Sequence, residues 1–105
     1  MAWMLLFVAG LLEIGWAIGL KYSDGFTRPL VSAVTVVLMI GSVVLLGFAL
    51  RYLPLGTAYA VWTGIGAVGT ALLGIALFGD PATAGRLACI ALIVAGIAGL
   101  KMLTP

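Results

Sequence analysis

Glu13 stands in the run Leu11-Leu12-Glu13-Ile14-Gly15-Trp16, a carboxyl with apolar residues on both sides. The chain has only two other acids, Asp24 and Asp80, and each adjoins a turn-forming Gly or Pro. The five bases, Lys21, Arg28, Arg51, Arg86 and Lys101, all lie at the ends of apolar runs, where long side chains snorkel toward water. Glu13 therefore has no resident counter-ion. A carboxylate at mid-bilayer costs roughly 2.5–3.5 kcal/mol on insertion scales, and such residues turn inward and mark ion or proton paths. Two partners can satisfy it: a proton, or a cation arriving from water. If both compete for one site, the site exchanges one for the other. That is the minimal chemistry of a proton-coupled cation exporter. The plainer alternative is a protonated Glu bonded to a nearby carbonyl or hydroxyl.

Helical spacing indicates what surrounds the carboxyl. Ala9, Glu13, Trp16 and Ala17 share one helix face, at offsets of three and four. Trp16 offers an indole N–H and an aromatic wall. Tyr59, Trp62, Thr63 and Gly66 share a face further along. Tyr59 brings a hydroxyl and Trp62 a π-face for a cation. Trp3, Tyr22 and Tyr52 suit an interfacial aromatic belt instead. Ser42 is the polar residue nearest the middle of its apolar run, and a lone serine in a membrane helix usually bonds back to its own helix. Gly64 and Gly66 serve either close packing through small residues or a bend in the helix.

These residues must be held by elements, and the composition says which kind. Of 105 residues, 65% are hydrophobic and 8% charged, against about 25% charged in an ordinary soluble domain. A soluble globule, a disordered tail and a coiled coil are excluded. The net charge of +2 reflects few acids, so no basic patch for nucleic acid exists. His is absent and Cys occurs once, at Cys89, which leaves no ligand set for a metal or haem. No catalytic nucleophile or phosphate loop stands out, so an enzyme is not expected, and no cofactor is implied.

An integral membrane protein remains. A spanning helix needs about 20 apolar residues, and four such runs are legible, at about 2–20, 29–50, 55–78 and 85–103. They fill the chain as one four-helix domain, 1–105. The runs are continuously apolar rather than alternating, so helices are expected, not a barrel. Asp24-Gly25 reads as a turn, Pro29 as a helix start, Gly79 as a helix stop and Thr83 as an N-cap. Glu13 inside the first run and the lack of a preceding base argue against a cleaved signal peptide.

Orientation follows the Lys/Arg bias. Arg51 and Lys101 fall on one side, and Lys21, Arg28 and Arg86 on the other. So small a difference suggests insertion both ways. Four short helices hardly enclose a polar path alone. Transporters often use inverted repeats around a midplane site, and two oppositely inserted copies would reproduce that design. An antiparallel, dual-topology homodimer is the economical expectation. In the fourth run Ala88, Ala91, Ala95, Gly96 and Gly99 make a small-residue surface for packing or dimerisation.

The early glutamate, the segment Lys21-Tyr22-Ser23-Asp24-Gly25-Phe26-Thr27-Arg28 and the segment from Pro54 to Gly66 resemble the small multidrug resistance family over the whole chain. That resemblance implies an antiparallel dimer in the bacterial cytoplasmic (inner) membrane, an antiporter exchanging protons for cations by alternating access. Trp16, three positions after Glu13, resembles the guanidinium-exporting subtype. The resemblance implies Glu13 as the proton and substrate carboxylate and Trp16 and Ser42 as groups orienting the glutamates. Tyr59 and Trp62 would border the site, and Gly64 and Gly66 would form a hinge. Guanidinium suits paired carboxylates, being planar and rich in N–H donors in fork geometry. The first alternative is a broader exporter of quaternary ammonium and other multidrug cations. The second, of another class, is a non-transporting membrane subunit or heterodimer partner.

Overall fold

A computed structural model describes residues 1–104. Within them the chain forms four helices: α1 (Ala2–Tyr22), α2 (Pro29–Ala49), α3 (Leu55–Phe78) and α4 (Ala84–Leu103). All four are long and apolar enough to cross a membrane. At 1.5 Å per residue, the 20 to 24 residues of each helix match a hydrocarbon core of about 30 Å.

The punctuation follows local chemistry. Pro29 opens α2, where its missing N–H costs nothing. Gly79 ends α3 at φ 70°, a left-handed stop that suits glycine, and the Asp80 N–H returns to the Gly74 carbonyl at 3.2 Å. Thr83 caps α4 by accepting from the Arg86 N–H at 3.3 Å. Between α1 and α2, Asp24, Gly25 and Phe26 all take positive φ. Buried Ser23 holds this turn: its hydroxyl donates to the Leu20 carbonyl and accepts from the Phe26 N–H.

The four helices do not close into a bundle. Helix α1 packs broadly on α2 and on α3, α3 also carries α4, and α2 barely touches α3. The resulting order across the molecule is α2, α1, α3, α4. The molecule is a slab of 43 × 35 × 16 Å, hardly thicker than one helix with its side chains. Its buried apolar centre lies at one end, where Leu6 of α1, Leu46 and Ala49 of α2, and Ala58 and Val61 of α3 meet. No residue of α4 is buried. Both broad faces are therefore left to lipid or to another protein surface.

Glycines let α1 and α3 approach closely. A Cβ added at Gly69 would overlap Ile14, and one at Gly10 would lie 2.8 Å from Ile65 Cβ. Small-residue contacts of this kind are how helices associate in lipid.

Candidate functional site

Glu13 lies in the α1/α3 seam, one turn from those glycine contacts. Its carboxyl rests against Gly66: a Cβ added there would sit 2.6 Å from Oε2 and 2.8 Å from Cγ. The seat exists because residue 66 has no side chain. Oε2 is buried and has no hydrogen-bond partner. No ion pair reaches Glu13, since every base lies at a helix end or in a connection. This is a carboxyl with an unused acceptor, held away from any protein cation.

Ser42 is fully buried on α2, and its bonding differs from the own-helix pattern expected of a lone membrane serine. Its hydroxyl donates to the Ala9 carbonyl of α1 at 2.6 Å and accepts from the Trp62 Nε1–H of α3 at 2.9 Å. One hydroxyl thus ties three helices together. Ala9 lies four residues before Glu13, so its carbonyl is the one that receives the Glu13 N–H in a regular helix. The tie therefore grips α1 at the turn that carries the carboxyl. Tyr59 packs edge-on against Trp62, with ring centroids 5.5 Å apart, yet Tyr59 is 55% exposed. The Tyr59–Trp62 pair opens onto an uncovered face of the slab.

The residues expected to gather do so unevenly. Glu13 and Gly66 meet, and Ser42, Trp62 and Tyr59 form a connected set. Trp16 is on the Glu13 face of α1, but its buried Nε1–H has no partner, so no Trp16–Glu13 hydrogen bond forms in this conformation. Gly64 points away from the carboxyl. A Cβ there would lie 2.8 Å from Ile97 Cδ1 of α4, so Gly64 seats α4 while Gly66 seats Glu13. Helix α3 is continuous through both. The Ala9 carbonyl was invisible to sequence reading, because backbone groups carry no residue signal. The Gly66 seat was partly legible, since its helical offset from Trp62 puts both on one face. Among the described residues, no group of three or more His, Cys, Asp or Glu could hold a metal.

A family model described as Small Multidrug Resistance protein matches residues 1–93. The chain belongs to the small multidrug resistance family. Similar relatives extend the match to nearly the full length. A protein of Yersinia pestis named guanidinium exporter is 61% identical over 102 residues, 97% of this chain and 98% of its own. Guanidinium exporters of Citrobacter freundii and Proteus vulgaris are each 59% identical, over 104 and 102 residues. The Citrobacter alignment covers 99% of both chains. This member of the family is thus a multi-pass bacterial membrane protein. Its most distinctive buried group is a carboxyl facing no cation of its own.

Proposed function

We propose that this protein exports guanidinium in exchange for protons, with Glu13 as the group both ligands share. The observation that carries the reading is the Glu13 carboxyl seated against Gly66, with Oε2 unpartnered and no base beside it. The full-length similarity to proteins named guanidinium exporters supports the choice of cargo.

In this reading two copies insert oppositely and face each other across the open face that Trp62 and Tyr59 border. Deprotonated carboxylates from both copies grip the planar cation, each with a bidentate pair of hydrogen bonds. Protons arriving from the other side neutralise the carboxylates and release the cargo. Ser42 and Trp62 hold the turn that carries Glu13, and Trp16 narrows the pocket and offers its free indole N–H once the partner is present. Gly64 and Gly66 let α3 change shape between the two access states. A site lined with many donors and acceptors rejects cations that leave those groups unpaired, so small guanidinyl cations are preferred to bulky quaternary ammonium ions. The carboxyl sits in the cytoplasmic membrane, where the proton gradient drives export.

Transport currents from purified protein in liposomes test the reading. Guanidinium should give a current, a bulky lipophilic cation little, and Glu13→Gln none. A larger current from the bulky cation would favour the multidrug alternative. No current from either cation, with intact helices, would favour a non-transporting subunit.

A further inference from the structure

At the face where α1 and α3 begin, a cleft of about 420 Å³ opens between the start of α1 and the α2–α3 connection. Met1, Ala2, Trp3, Tyr52 and Leu53 line it. The volume falls in the range of about 300–1,000 Å³ typical of small-molecule sites. Lys101, in the last turn of α4, reaches this cleft from the far end of the slab. Helices α1 and α4 do not pack on each other, and α3 lies between them. Yet Lys101 Nζ stands 4.9 Å from the centre of the Trp3 ring. A lysine free to snorkel extends into water. This one is turned sideways across the start of α3, with its ammonium resting on the indole.

The charges at this face are unbalanced. Arg51 and Lys101 stand on it, and among the described residues no acidic side chain does. Glu13 is within its span, and Asp24 and Asp80 are in the connections at the opposite face. Position decides what anion meets these cations. The cleft lies at the ends of membrane-spanning helices, at headgroup depth. Its wall joins apolar Met1, Ala2 and Leu53 to a Trp and a Tyr, the side chains that favour membrane interfaces because they combine a large apolar ring with a polar group. Phosphate oxygens accept charge-assisted bonds from an ammonium and ordinary ones from a hydroxyl or an indole N–H. A zwitterionic headgroup brings an ammonium of its own, and no acid here receives it.

We propose that this cleft binds the phosphate of an anionic phospholipid, with Lys101 as the charged ligand and Tyr52 and Trp3 as flanking hydrogen-bond donors. Arg51 is not among the lining residues and adds only to the general attraction of the face for anionic lipid. An ammonium already held on Trp3 loses little freedom on meeting the phosphate, and such preorganisation favours binding. The site is complete within one copy. It therefore holds whichever cation the protein carries and however two copies pair.

Quenching of Trp3 by brominated lipid tests the site without requiring transport. Trp16→Phe and Trp62→Phe together leave Trp3 as the lone tryptophan. The protein is reconstituted in phosphatidylcholine. Phosphatidylglycerol or phosphatidylcholine, brominated near the headgroup end of its chains, is then added in steps. Quenching by phosphatidylglycerol should saturate and exceed that by phosphatidylcholine. Equal quenching, or a rise in simple proportion to the lipid added, would overturn the site. Lys101→Gln should lower the anionic preference about fivefold, the effect of one cation near an anionic surface. Lys101→Arg, and Lys21→Gln at the opposite face, should keep it. Equal losses in Arg51→Gln and Lys101→Gln would reduce the preference to diffuse surface charge and refute the cleft. Inorganic phosphate should not compete; relief of quenching by it would make free phosphate the occupant and refute the lipid. Should the double variant fail to fold, the difference in quenching between wild type and Trp3→Phe reads the same site.

Discussion

At Gly66 a missing side chain decides where the carboxyl of Glu13 rests. Gly66→Ala forces that carboxyl out, and overpacking of this kind costs about 1–3 kcal/mol. The cost should shrink when Glu13→Ala is already present, because the clashing atoms are gone. A double-mutant cycle on thermal unfolding in mild detergent measures the difference. Ser42 gives a second test. Ser42→Ala leaves the Trp62 N–H and the Ala9 carbonyl without their shared partner, at a cost of about 1 kcal/mol given the modest worth of inter-helix hydrogen bonds in bilayers. With Trp62→Phe already in place, the same change should cost less. Glu13 itself was legible from sequence, being the one acid within an apolar run. The bonding of Ser42 was not. Its partners lie 33 and 20 positions away, and nothing in an apolar run shows which helices will cross there.

At the scale of the element, the start and stop residues were readable because each has a local mechanism. Pro29, Gly79 and Thr83 act within one turn of themselves, so tertiary context does not override them. Helix α1 nonetheless runs to Tyr22, past the expected end near Leu20. Tyr22 is retained because its ring packs on Phe78 of α3 at 5.2 Å, a contact that only the fold supplies. Two glycines separate backbone need from mere presence. Gly79 takes φ 70°, so Gly79→Ala should destabilise by about 1 kcal/mol. Gly47 in α2 meets nothing within 4 Å of an added Cβ, so Gly47→Ala should stabilise by about 0.5–1 kcal/mol through helix propensity. Opposite shifts in denaturant midpoint check the pair.

For the whole molecule, the slab arrangement is what sequence could not give. Helices that are apolar on every side do not announce which face packs inward. The order α2, α1, α3, α4 arises instead from where small residues permit close approach, as at Gly10, Gly66 and Gly69 against α1 and α3 partners. The outcome leaves α4 with no buried residue and Gly96 with open space around it, as an unpaired half would have. An antiparallel pairing through α4 makes a definite prediction. Cys89 lies about 7 Å from the helix midpoint along the axis, so two copies would sit about 14 Å apart there, beyond disulfide reach. Native Cys89 should not cross-link under oxidation, whereas Ala95→Cys in a Cys89→Ser background, near the midpoint and on the small-residue face of α4, should. Efficient Cys89 cross-linking would indicate parallel pairing.

One carboxyl serving both proton and cation must give up its proton when the cation binds. Adding guanidinium to purified protein in weak buffer should therefore release protons. That release should saturate with guanidinium and disappear in Glu13→Gln. Guanidinium binding without proton release, or release that persists in Glu13→Gln, would contradict it.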